Sequence, residues 1–65
     1  MDKLIREQAK VIKNSRRVKS MEDVADAIEN EIEPTAFTNE AYAAGYIRGV
    51  AEATNVTIRE LLENL

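Results

Sequence analysis

Thr38-Asn39-Glu40-Ala41-Tyr42-Ala43-Ala44-Gly45-Tyr46-Ile47-Arg48-Gly49-Val50-Ala51-Glu52-Ala53-Thr54-Asn55 is the stretch on which the fold turns. Thr38 is a residue type that caps a helix by accepting a backbone N–H, and Phe37 before it stands where a hydrophobic staple begins. Asn55 tolerates the left-handed backbone that closes a helix. Between these limits Tyr42, Tyr46, Ile47 and Val50 share one side at helical spacing, which predicts a helix over about 39–54. Beside them Ala41, Gly45, Gly49 and Ala53 recur every four residues. Two glycines inside a helix cost roughly 2 kcal/mol relative to alanine. Close approach of another helix would offset that cost. The approach is either within the chain, where the glycines admit the first or second helix, or between chains.

Working outward, Pro34 to Phe37 is a short connection, and Pro34 stops a second helix predicted over 21–33. Met21, Val24, Ala25, Ile28 and Ile32 form its inward stripe, while Glu22, Asp26, Glu29 and Glu33 make an acidic one. Ser20 is the expected N-cap, with Asp23 at the return position of a capping box. A first helix over about 3–18 is predicted to bury Leu4, Val11, Ile12 and Val18, with Ile5 widening the stripe and Gln8 and Ser15 interrupting it. Lys3, Arg6, Lys10, Lys13 and Arg17, spaced 3, 4, 3 and 4, line a neighbouring face. Beyond Asn55, Thr57-Ile58-Arg59-Glu60 is a capping box opening a last helix over about 58–64, which presents Ile58, Leu61, Leu62 and Leu65. It is too short to stand alone and must dock. No segment alternates as a strand would. The expectation is an all-α single domain over 1–65: a small bundle of three main helices and a short carboxy-terminal one, completed by oligomerisation.

A chain of 65 residues buries only about 60% of its extended surface, so its core is thin. The sequence has no cysteine and no histidine, which removes disulfides and nearly all zinc, haem and iron–sulfur chemistry. A partner subunit is the remaining way to enlarge the core. There is no glycine-rich phosphate loop and no nucleophile elbow, and the many acids fall on solvated faces. These features argue against an enzyme, a cofactor, a metal or a small-molecule substrate. No signal-like or membrane-spanning apolar run is present, so a cytoplasmic location without membrane contact is expected. The net charge of −3 hides an uneven split: residues 1–20 carry seven basic side chains against two acids, and residues 21–65 carry two against ten.

The stretch from Val50 to Leu62 resembles part of a helix-turn-helix of small bacterial and phage repressors. Ala51 stands at the small position of the first helix, Asn55-Val56-Thr57 at the turn and Leu61 at the buried position after it. The resemblance implies either a DNA-placing segment, as in a phage-type regulator, or the closing, non-reading helix pair of a five-helix repressor domain. Departures from that pattern are the scarcity of cations, with Arg59 beside Glu60, Glu63 and Asn64, and the polar Asn64 where an apolar residue is usual.

Two functions follow as expectations. The first is a non-enzymatic interaction or regulatory protein that binds a protein target or itself, most simply as a homodimer, through Ala41, Tyr42, Gly45, Tyr46, Gly49 and Ala53. The alternative is a small DNA-binding regulator that contacts phosphates through Lys3, Arg6, Lys10, Lys13, Arg16 and Arg17, with Arg59 in the carboxy-terminal turn. Pairing of the basic helix with the acidic one would remove the alternative.

Overall fold

The second, third and fourth helices each begin where the sequence supplies a capping side chain. The computed structural model describes residues 2–65, as four helices and no strand. They are α1 (Asp2–Arg16), α2 (Met21–Asn30), α3 (Asn39–Thr54) and α4 (Ile58–Glu63). The Ser20 and Thr38 hydroxyls accept the N–H groups of Asp23 and Ala41 at 3.1 and 3.0 Å. At α4 both halves of the capping box form: Glu60 N–H donates to Thr57 Oγ1, and Thr57 N–H to Glu60 Oε1, each at 3.0 Å. Asn55 closes α3 in the left-handed conformation with φ 59°.

α1 packs chiefly on α3 and α2 chiefly on α4, with lesser α1–α2 and α3–α4 contacts closing the bundle. The core is made of Ile5, Ala9 and Ile12 from α1; Val24, Ala25, Ala27, Ile28 and Ile32 from α2 and its exit; Ala41, Ala43, Ala44, Ile47 and Ala51 from α3; and Leu62 from α4. Three arginines tie helices together. Arg16 Nε donates to Glu40 at 3.0 Å and its Nη1 meets Glu31 at 3.4 Å. Arg48 donates to the Ile28 carbonyl at 2.9 Å, satisfying one of the acceptors that the end of α2 leaves unpaired. Arg59 reaches Asp26 at 2.7 Å and Glu22 at 3.2 Å, joining α4 to α2.

The structure shifts several expected positions. α1 stops at Arg16, not 18, because Arg17 turns left-handed (φ 58°) and Val18 N–H reaches back to the Lys13 carbonyl at 3.1 Å. α2 stops at Asn30, not 33. The N–H groups of Glu31 and Ile32 both bond the Ala27 carbonyl, at 2.9 and 2.8 Å, which swings Ile32 into the core. A turn from Glu33 to Ala36 follows, with Pro34 at its second position. The buried stripe of α1 is Ile5–Ala9–Ile12, whereas Leu4 is 47% exposed and Val11 and Val18 are half-buried. α3 buries Ala41, Ala43, Ala44, Ile47 and Ala51; Tyr42 is exposed, and Tyr46 and Val50 are half-buried. In α4 the fully buried residue is Leu62, with Leu61 half-buried, and the helix ends at Glu63.

Two predictions follow from this register. Ile12→Ala should destabilise the fold by about 2–5 kcal/mol. Leu4→Ala should cost under about 1 kcal/mol, because much of its surface is already wet. Denaturant midpoints of the two variants test the register, and equal losses would contradict it. The second concerns Glu60, whose carboxyl is held below its ordinary value of 4.5 by the bond from the Thr57 backbone and then by the Thr57 hydroxyl. A carboxylate lowered in the folded state stabilises above its unfolded value and loses that contribution as pH falls through the folded one. The advantage in melting temperature of the native chain over Glu60→Gln should therefore be present at neutral pH and shrink below about 4.5. An advantage independent of pH would contradict the cap.

Candidate functional site

The inward arc of α3 is occupied by Ala43, Ala44, Ile47 and Ala51, so its outward arc is fixed by the 100° step between residues. Tyr42, Gly45, Gly49, Glu52 and Ala53 are exposed there, with half-buried Tyr46 at its margin. Only Glu52 among these carries a charge, which is unusual for the solvent face of a helix. A Cβ placed on Gly45 or Gly49 meets nothing within 4 Å. The glycines therefore admit no helix of their own chain, and the intramolecular crossing considered above does not exist. Close approach inside the bundle is achieved by the alanines on the opposite side of α3.

Ala41, expected on the same surface, is a core residue at 5% exposure. Its place at the amino-terminal end of the face is taken by Phe37. The expected staple is not made: Phe37 is fully exposed (105%) and Tyr42 71% exposed. Together with Pro34, Ala36, Thr38 and Ala41 they border a shallow depression of about 450 Å³. Phe37, Tyr42, Gly45, Gly49 and Ala53 thus run from the α2–α3 connection along α3. The sequence places Phe37 next to a cap, where a staple is the ordinary reading; its bareness depends on the turn at Pro34 and has no local signal.

A second depression, of about 270 Å³, lies between the start of α1, the end of α3 and α4. Ile5, Val50, Val56, Leu61 and Leu65 line it with Asp2 and Glu60 at its rim. No polar or charged residue among the described ones is buried, and no three acidic side chains converge as a metal site among them.

The expected nucleic-acid contacts divide in two. Arg16 and Arg59 are engaged between helices. In particular Arg59 turns onto α2, so the resemblance to a reading helix loses its one cation. Lys3, Arg6, Lys10 and Arg17 are exposed and Lys13 half-buried. Among the described residues none of these five lies within 4 Å of a carboxylate. The acidic residues of α2 that make ion pairs meet Arg59, not the basic row of α1. Among the described residues, the general pairing of basic and acidic helices that would have removed the alternative reading is absent.

No protein-family model, no curated protein and no solved structure matches the chain.

Because Gly45 and Gly49 face open space, Gly45→Ala and Gly49→Ala should each stabilise the dilute chain by about 1 kcal/mol, the helix-propensity difference. Chemical denaturation at low protein concentration measures this. Destabilisation by either alanine would mean that something within the chain already occupies the space.

Proposed function

We propose that this chain is a non-enzymatic interaction protein whose contact surface is the outward face of α3, and that the surface first engages a second copy of the chain. The observation that carries this reading is the open space over Gly45 and Gly49, on a helix face that carries a single charge. A helix interior holds two glycines at a cost of about 2 kcal/mol, and nothing inside the bundle makes use of their smallness.

Self-association is favoured over a foreign target by the shape of the face. The projecting ring of Tyr42, with half-buried Tyr46 at the margin, lies beside the low surface of Gly45 and Gly49, so ridge and hollow occur on one helix. A two-fold pairing sets each ridge into the other's hollow. Two copies of a chain with net charge −3 meet there without a row of like charges opposed. Phe37 and Tyr42 are the exposed aromatics that such an interface would bury, and aromatic anchors dominate binding energy. The thin core gives the same direction: seven of its fourteen buried residues are alanines, so association would add apolar contact that the monomer lacks. A binding role without catalysis is supported by the absence of histidine and cysteine and by the solvated positions of the carboxylates.

Sedimentation equilibrium over a range of concentrations tests the reading. The native chain should approach twice its 7.3 kDa mass. Gly49→Leu should remain monomeric with its helicity intact, because leucine is the better helix former on a face that is open in the monomer. A native chain that stays monomeric at millimolar concentration, or a Gly49→Leu variant that dimerises as well as the native one, would overturn it.

A further inference from the structure

The basic row of α1 is a second surface, on a different helix from the proposed contact face. Lys3, Arg6, Lys10 and Lys13 fall within an arc of about 80° at 100° per residue and span about 15 Å at 1.5 Å per residue, and Arg17 follows just past the end of α1. The fold uses Arg16, Arg48 and Arg59 between helices and leaves these five outside, without a carboxylate within 4 Å among the described residues.

Arg17 adds an independent observation. It stands in the left-handed region at φ 58°, at the helix-closing position where glycine or asparagine is normally found because a larger side chain crowds its own backbone. The bond from Val18 N–H to the Lys13 carbonyl holds that conformation at 3.1 Å. A long cationic side chain thus occupies a position that disfavours it, at the end of the row.

We propose that this row binds the phosphate backbone of duplex nucleic acid through charge, without reading its sequence. Phosphate contact needs no apolar core in the interface, and the row has none to offer: its outer flank is Glu7 and Asn14, both exposed. A protein partner would need buried anchors. A membrane would need apolar residues entering alongside the cations, whereas Leu4, the exposed large apolar residue of α1, points about 140° away from the row. The five cations of the row outnumber Asp2 and Glu7, the acids of α1, and any charge more than about 8 Å away is screened at physiological salt. Of the acids near the carboxy-terminal end of α1, Glu31 and Glu40 are already held by Arg16.

The test is fluorescence anisotropy of a labelled 20-base-pair duplex titrated with the full chain between 50 and 200 mM salt. Five phosphate contacts predict a log–log salt slope near −4.5, or roughly a 500-fold loss of affinity across that range. Replacing Lys10, Lys13 and Arg17 together by glutamine should weaken binding at least tenfold and flatten the slope by about 3. Arg17→Gly supplies a readout that damage to the fold cannot imitate: its melting temperature should rise while the slope flattens by about 1. The proposal is overturned by no binding at 50 mM salt, or by a triple variant that binds with an unchanged slope. Equal or tighter binding to polyglutamate, or to vesicles of phosphatidylcholine with phosphatidylserine, would likewise overturn it.

Discussion

Alanine at the helix contacts is the constraint from which the other features of this bundle follow. Ala9, Ala25, Ala27, Ala43, Ala44 and Ala51 are buried at the helix contacts, and side chains this small favour the near end of the usual 8–10 Å range of helix separation. Little space remains between them for bulk. Ile5, Ile12, Ile28, Ile47, Leu62 and Val24 fill what there is, and the aromatic side chains are left at the edge or outside. Phe37, just past the turn at Pro34, and Tyr42, on the outward arc of α3, are exposed, so the outer face of α3 combines aromatics with glycines. The same face is the basis of the self-association proposed above.

Charge follows a parallel division of labour. Arginine, with a planar group that forks onto carboxylates and carbonyls, is placed between helices at Arg16, Arg48 and Arg59. These bonds are partly exposed and individually worth about 1 kcal/mol or less. Their value is geometric: each fixes how one helix end sits on another in a core that is too small to fix it alone. Lys3, Lys10 and Lys19 face outward with Arg6 and Arg17, and Lys13 is half-buried beside them, which leaves one side of α1 positive on a chain that is acidic in total.

Local chemistry was legible in the sequence wherever a helix terminus depends on one side chain. Ser20, Thr38, Asn55 and the Thr57–Glu60 pair all sit where their hydrogen-bonding capacity predicts. Helical periodicity likewise located α3 to its end residues. Which face turns inward was less legible, and the reason is alanine. Its side chain is too small to stand out in a hydrophobic pattern, so the larger Leu4, Val11, Tyr42 and Val50 drew the predicted stripes toward themselves. In α1 the true stripe, Ile5–Ala9–Ile12, avoids both Gln8 and Ser15, the two residues that interrupted the predicted one. In α3 the small residues do mark close approach, but Ala44 and Ala51 make it, not Gly45 and Gly49. Part of the candidate surface survived this correction: Tyr42, Gly45, Gly49 and Ala53 are exposed together, Ala41 is lost to the core, and Phe37 joins through a turn that no local pattern announces.

The most direct measurement is a series of ¹H–¹⁵N correlation spectra of the labelled chain on dilution from millimolar to low micromolar concentration. If the outer face of α3 is where two copies meet, the amide signals of Tyr42, Gly45, Gly49 and Ala53 move with concentration, while those of Lys3 to Lys10 on α1 and of Glu22 to Glu29 on α2 stay fixed. Spectra that superimpose throughout the series, or shifts confined to α1 and α2, would contradict that assignment.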